Sequence, residues 1–311
     1  RIYVFIDEVQ HYPEISKIVK YLIDHYKVKF FLTGSASYYL KNLFPESLAG
    51  RKIIFELYPL DFEEFLIFKK ENIEKYREIK NKKIINRLDY EIYDKYYEEF
   101  LEWGGFPAVG LAEGRGKKEQ MLKDIFSSYY QNEIVSLADY RKNEKIRDLI
   151  LLLASRAGSQ LDLVKLSQEL GIARVTVYSY LAFLQATYFI HLISPLSKSI
   201  DREVSGAQKV YFCDNGILKI IAKLNIGQIF ENSIYNQLKI KGDLNYFRKP
   251  SGAEIDFILD KKTAFEVKAT ATVSYMNDFK KSMETAKLKE GCIISKNFVE
   301  GLGNVVFGEF V

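Results

Sequence analysis

The hydrophobic pattern opens with a β-branched and aromatic run, Arg1 to Ile6, that stops at Asp7-Glu8 and reads as a buried strand. From Pro13 to Tyr26 the apolar residues Ile15, Ile18, Val19, Leu22, Ile23 and Tyr26 recur at spacings of three and four, which predicts an amphipathic helix. A second strand, Lys29 to Leu32, ends in Thr33-Gly34-Ser35, and a third is expected over Ile53 to Leu57. Asp61 with Glu64 three residues later is a capping box that starts a helix. Charged and aromatic helices fill residues 69–95, and Trp103-Gly104-Gly105-Phe106-Pro107 breaks the pattern. A long helix between residues 117 and 136 then carries Met121, Leu122, Ile125, Phe126 and Tyr129 on one side.

Farther along, Ile146, Leu149, Ile150 and Leu153 mark a helix, Asp162 caps a second that runs to Leu170, and Gly171-Ile172-Ala173 is a tight turn. The next helix, Ala173 to Gln185, turns Val177, Leu181 and Leu184 inward. Two apolar strands follow, Tyr188 to Ile193 and Lys209 to Cys213, with a polar stretch between them. That order is a helix-turn-helix with a wing. The C-terminal part reads as helix 230–238, strands 244–248, 254–259 and 264–268, helix 275–287 and strand 292–295. This αβββαβ order is that of a restriction-endonuclease core. The fold class is α/β in three parts: a strand–helix–strand part whose first strand ends in Asp7-Glu8, as in a partial P-loop ATPase domain, a winged-helix module and a restriction-endonuclease-like α/β domain. The expected boundaries are 1–60 for the ATPase part, 61–140 for a helical connector or lid, 141–215 for the winged helix and 216–311 for the last domain.

Composition narrows the setting. The 311 residues are 48% hydrophobic and 28% charged, the profile of a soluble globular chain. Cys213 and Cys292 are too few for a disulfide framework or a zinc cluster, so a reducing, cytoplasmic setting is expected, and three histidines exclude a His-rich metal site. No apolar run approaches a membrane span, so no membrane partner is expected. The net charge is +4, and residues 236–296, with 12 Lys and Arg against 8 Asp and Glu, account for all of it. That bias is compatible with nucleic acid without demanding it. Arg1 lies directly against a strand, an unnatural start that suggests an N-terminal truncation.

Three constellations carry chemistry. A buried parallel strand that delivers Asp7 to its C-terminal end reads as a Walker B strand: Asp7 can hold Mg²⁺ through water and Glu8 can polarise the attacking water. On its own such a strand end is as easily a solvated acidic turn. The strand, helix, strand order that follows places Ser35 as a sensor for the γ-phosphate, and Arg51 is either an arginine finger or a surface arginine. A phosphate cradle needs G-x-x-x-x-G-K-[ST]. The nearest stretch, Gly110 to Lys118, has the wrong spacing and no strand before it, so ATP binding by this stretch of chain alone is expected to be poor. In the helix-turn-helix, Arg174, Thr176, Tyr178 and Ser179 would face the major groove, and Lys198 and Arg202 would meet phosphates. The motif from Asp162 to Gln185 is electrically neutral, so a protein contact is the competing expectation.

At the C-terminal end, strand alternation puts Glu254, Asp256 and Ile258 on one face and, in the next strand, Glu266 and Lys268 on one face. Pairing these strands gathers Asp256, Glu266 and Lys268, with Glu231 approaching from the preceding helix. Carboxylates around Mg²⁺ or Mn²⁺ beside an ammonium are what metal-assisted phosphodiester hydrolysis requires. An isolated E-x-K, however, is usually a solvated strand face.

Taken together, Val4-Phe5-Ile6-Asp7-Glu8-Val9-Gln10, Leu32-Thr33-Gly34-Ser35, Leu48-Ala49-Gly50-Arg51, Tyr58-Pro59-Leu60, Lys209-Val210-Tyr211-Phe212 with Asp214, Gly252-Ala253-Glu254-Ile255-Asp256-Phe257 and Phe265-Glu266-Val267-Lys268 give the chain a known look. It resembles the archaeal and bacterial AAA-type ATPases that join a P-loop domain, a winged helix and a PD-(D/E)XK nuclease-like domain of unknown function. The resemblance implies ATP and Mg²⁺ as cofactors of the whole protein, self-association through the ATPase domain, and DNA as a partner. It also implies Walker B acids Asp7 and Glu8 with Ser35 and Arg51, and a nuclease-like site at Glu231, Asp256, Glu266 and Lys268. The alternatives are a non-catalytic DNA- or protein-binding relative of such ATPases and a nucleotide-controlled signalling or defence switch.

Overall fold

The computed structural model describes residues 2–9, 12, 14–34, 52–135, 140–197, 199, 203, 206–249 and 252–311. It divides into two compact units, residues 1–58 with 178–190, and residues 59–177 with 191–311.

In the first unit, β1 (Tyr3–Ile6) and β2 (Lys29–Leu32) pair in parallel, Tyr3 opposite Lys29 and Ile6 opposite Leu32, with α1 (Ile15–Tyr26) as the crossover. Val9 and Val19 are buried, packed by Ile6, Ile15, Ile23, Phe30 and Leu32. Alternation sends the other residues outward: Phe5 stacks on Phe31 at 4.9 Å, yet Phe5 is 75% exposed. The expected fully buried strand is thus half-covered, because among the described residues this sheet has two strands and one packed face. The strand expected over Ile53 to Leu57 does not form. Those residues are irregular and without a strand partner among the described residues, with Phe55 and Leu57 almost fully exposed. Within the same stretch, Glu56 accepts hydrogen bonds from the hydroxyls of Tyr58 and Tyr188, both at 2.6 Å.

The second unit contains α2 (Phe62–Phe68), α3 (Ile73–Lys80), α4 (Arg87–Trp103), α5 (Pro107–Leu111) and α6 (Arg115–Tyr129), the last continued by a π-turn, Tyr130–Val135. Asp61 closes the expected capping box on α2, and Asn86 with Asp89 closes another on α4. The turn after α4 is fixed by Asp214. Gly104 has φ +76°, and a Cβ on it would lie 2.1 Å from the Asp214 carboxylate. Gly105 N–H donates to that carboxylate at 2.6 Å, while the other Asp214 oxygen caps α10 (Asn215–Ile221) at Ile217 N.

Next come α7 (Tyr140–Ser155), α8 (Leu163–Leu170) and α9 (Arg174–Ala186), then the paired strands β3 (Ile190–Ile193) and β4 (Lys209–Phe212). Asp162 accepts from the N–H groups of Val164 and Lys165, and Gly171 ends α8 in the left-handed region. Between α7 and α8, residues 158–161 run alongside β4, with Gly158 N–H donating to Val210 O at 2.8 Å and Leu161 N–H to Gln208 O at 2.8 Å. The two-stranded β3–β4 sheet therefore has a third, short neighbour.

After α11 (Ile226–Leu238), β5 (Leu244–Arg248), β6 (Glu254–Leu259) and β7 (Thr263–Lys268) form an antiparallel meander. The crossover α12 (Val273–Ala286) leads to β8 (Glu290–Ser295), parallel to β7, and β9 (Val305–Phe307) extends the sheet as a fifth strand. One sheet face packs on Phe279, Met276 and Met283 of α12. The other shares a core with α11 and with Phe62, Tyr76, Tyr93, Tyr97 and Phe100 of α2, α3 and α4.

Candidate functional site

Two acidic constellations lie at strand ends or on strand faces. In the first, Asp7 and Glu8 leave the C-terminal end of β1, both exposed. The Thr33 hydroxyl, at the end of β2, donates to Asp7 Oδ1 and accepts from Glu8 N–H at 3.2 Å. Glu8 is in the left-handed region, φ +50°. The group that ties the two strand ends together is Thr33, two residues before the expected sensor. Ser35 and Arg51 lie outside the described residues. Two exposed carboxylates at the end of parallel strands fit a Mg²⁺ ion held through water.

The second constellation is buried between β4, α11 and the C-terminal meander. Strand alternation brings Glu254 and Asp256 to one face of β6, and Asp256 Oδ2 accepts from Val267 N–H at 2.9 Å. Lys268 donates to Glu266 Oε1 at 2.6 Å and lies 3.9 Å from Asp256 Oδ2. Glu231 on α11 accepts from the Tyr211 hydroxyl at 2.7 Å. The fold thus brings together all four expected residues, Glu231, Asp256, Glu266 and Lys268.

It also brings a residue with no expected role. The Lys209 ammonium, on β4, sits 3.3 Å from Glu254, 3.4 Å from Asp256 and 3.5 Å from Glu231, with its side chain 3% exposed. The alternation of Lys209 and Tyr211 along β4, facing Glu254 and Asp256 along β6, is the sequence signal that could have found it.

Four carboxylates and two ammoniums leave an excess of negative charge in a poorly solvated place. Burial, followed by the charge of Asp256, pushes Glu231 and Glu266 each up to about 7. Burial alone would lower Lys209, but Asp256, Glu231 and Glu254 outweigh it and hold its ammonium protonated. The same balance, struck with Asp256 and Glu266, raises Lys268.

These residues do not fit a divalent metal in this arrangement. Asp256 spends one oxygen on a backbone N–H and faces Lys209 with the other. Glu231 faces Tyr211 and Lys209, and Glu266 faces Lys268, leaving Glu266 Oε2 as a buried oxygen without a hydrogen bond. Among the described residues no group of three or more carboxylate, histidine or cysteine side chains is placed to hold a metal ion. The expected metal set of Glu231, Asp256 and Glu266 is therefore assembled but already answered by lysines.

On α9, Arg174, Tyr178 and Ser179 are exposed and Thr176 is half-buried, while Lys198 and Arg202 lie outside the described residues. No helix among the described residues is long and apolar enough to cross a membrane.

Comparison with known proteins separates the chain into three stretches. A family described as an AAA domain matches residues 1–66, and two domains of unknown function, DUF8612 and DUF4143, match residues 94–227 and 226–301. An uncharacterized protein of Methanocaldococcus jannaschii is 27% identical over 82% of this chain and 58% of its own length. An uncharacterized protein of Haemophilus influenzae is 29% identical over 93% and 74%, and one of Mycobacterium tuberculosis is 22% identical over 94% and 64%. The chain thus spans less than two thirds of the archaeal and mycobacterial relatives. No solved structure matches it. The AAA-domain match at residues 1–66, with the DUF4143 match and the archaeal relative, supports an AAA-like ATPase family.

Proposed function

We propose that this chain belongs to an ATP-hydrolysing, DNA-associated protein of AAA type, in which Asp7 and Glu8 face the nucleotide and the α8–α9 helix pair faces DNA. The observation that carries the reading is the β1–α1–β2 unit, whose two strand ends are fastened through Asp7 and Thr33 where an AAA domain is matched. Bound Mg²⁺-ATP supplies the phosphoryl group. Asp7, its rotamer fixed by the Thr33 hydroxyl, would hold the Mg²⁺ through water, and Glu8 would accept a proton from the water that attacks the γ-phosphorus as ADP leaves. Ser35 and Arg51 would complete the phosphate side, and self-association of the ATPase part in the cytoplasm goes with the same reading.

Steady-state ATP turnover by the full-length protein tests it. Glu8→Gln should lower turnover by roughly 10²-fold or more, the ordinary worth of a general base. An unchanged rate would overturn the assignment. For the DNA part, Arg174 and Tyr178 present exposed side chains on α9, the helix that would enter the major groove in a winged helix. Anisotropy titration of duplex DNA should weaken on Arg174→Ala, and binding should fall steeply with salt.

A second reading has its own observation. The αβββαβ order and the convergence of Asp256, Glu266 and Lys268 are the parts from which a nuclease of the PD-(D/E)XK kind is built, although lysines occupy the place its Mg²⁺ or Mn²⁺ would take. Plasmid cleavage decides it: cutting that disappears in both Glu266→Ala and Lys268→Ala establishes this reading, and no cutting with either metal removes it.

A further inference from the structure

The geometry points to Lys209 as a tethered cation that stands in the place of a divalent metal in the C-terminal carboxylate cluster, making that cluster metal-independent. The inference rests on reading the C-terminal fold as restriction-endonuclease-like. Its ammonium lies at 3.3, 3.4 and 3.5 Å from three carboxylates on two different elements. Near-equal distances, each longer than a tight charged hydrogen bond, describe one cation centred among three anions rather than a pair. The Tyr246 ring lies 5.5 Å from the same ammonium and adds its negative face to the enclosure.

Lys209 cannot readily leave. Its side chain is 3% exposed, and its strand is held on one edge by β3 and on the other by residues 158–161. Lys268 differs: its side chain is 26% exposed, and its closest carboxylate contact, Glu266, is its neighbour on the same strand. A Mg²⁺ or Mn²⁺ bound to Asp256 and Glu231 would need oxygens at roughly 2.0–2.2 Å. With the ammonium 3.4 and 3.5 Å from those same oxygens, two cations would share one small, weakly solvated space. The lysine and the metal are therefore mutually exclusive, and the fold supplies the lysine. In this arrangement the cluster joins β4 to α11 and β6 by charge.

Mn²⁺ binding, followed by loss of the free-ion electron paramagnetic resonance signal and by calorimetry, tests this on the intact chain. Wild type should retain no Mn²⁺ that depends on Asp256. Lys209→Met should bind one Mn²⁺ per chain at least about tenfold more tightly than wild type, and adding Asp256→Asn should abolish it. Lys209→Met should also melt earlier than wild type without metal and recover when Mn²⁺ is added. If the single variant does not fold, Lys209→Met with Glu254→Gln removes one charge of each sign and keeps three carboxylates for the metal. Asp256-dependent Mn²⁺ binding by wild type as tight as by Lys209→Met overturns the inference and leaves the endonuclease-like reading standing. Folded lysine-free variants that bind no Mn²⁺ overturn both, because the carboxylates would then not form a metal-capable set at all.

Discussion

Asp7 with Glu8 and Asp256 with Glu266 are both strand-borne carboxylates, yet their surroundings give them opposite electrostatics. The first pair leaves a parallel sheet that has two strands and one packed face among the described residues, and both side chains are exposed. The second pair lies in a five-stranded sheet packed on both faces, by α12 on one side and by α11 with the α2–α4 helices on the other. At the exposed strand end both carboxylates are open to water, and the Thr33 hydroxyl donates to Asp7. In the buried cluster the chain itself must answer the charge, and it does so with Lys209, Lys268, Tyr211 and a backbone N–H. Burial thus decides whether a carboxylate stays open to a ligand or is matched internally.

That contrast can be broken by substitution. Phe257→Ala, at a fully buried position of β6, should cost about 3–5 kcal/mol in urea unfolding. A cost below about 1 kcal/mol there would erase the distinction between the packed sheet and the half-covered one. Gly104→Ala combines a left-handed φ with a collision against Asp214, and a loss of about 2 kcal/mol is expected. Introducing Asp214→Asn alongside it should not restore that loss, since the collision is with the side chain whatever its charge.

A smaller effect sharpens the electrostatic half of the comparison. Burial, before any charge effect, holds Asp214 up to about 6, Glu231 and Glu266 up to about 7 and Glu309 up to about 9. Each of these acids binds its proton more tightly folded than unfolded, so their contribution is fullest below the ordinary carboxylate range and is lost as pH rises through those values. The melting temperature should therefore drift downward between about pH 5 and about pH 9. Both oxygens of Glu309 are buried without a hydrogen bond, so Glu309→Gln should flatten the upper part of that drift. A slope unchanged by Glu309→Gln would mean that the carboxyl is solvated in the folded protein. Least of all should Phe5→Ala matter on the exposed face of β1, within about 0.5 kcal/mol.

Much of the C-terminal architecture could be read from periodicity. β5 and β6 begin and end where alternation and turn residues place them, and Glu231, Asp256, Glu266 and Lys268 meet as their faces require. What escaped was non-local. Nothing in the spacing of Phe62, Tyr76, Tyr93 and Tyr97 says that these rings will pack with a sheet that begins at Leu244. Lys209 lies 47 positions from Asp256, and the alternation that turns it toward β6 has meaning only once the two strands are known to face each other. The strand expected over Ile53 to Leu57 failed for the converse reason: an apolar run makes a strand only where a neighbour offers N–H and C=O groups, and among the described residues none does. At the end of β2, periodicity shows that Thr33 lies near Asp7 but not that its hydroxyl reaches across to it, and Ser35 lies outside the described residues.

The Tyr76 hydroxyl donates to the carbonyl of Glu309, 233 positions away, and the Tyr76 ring stacks on Phe310 at 5.7 Å. Lys80 reaches the carbonyl of Val311 in the same corner. As the chain emerges from the ribosome at about 5–20 residues per second, the helices bearing these rings are complete long before their cover exists. For ten seconds or more by that rate, the Tyr76 and Tyr93 rings wait for Phe310, which packs against both in the folded protein. Synthesis order leaves those rings uncovered until residues 307–311 follow, and that interval is when the nascent chain is most exposed to aggregation.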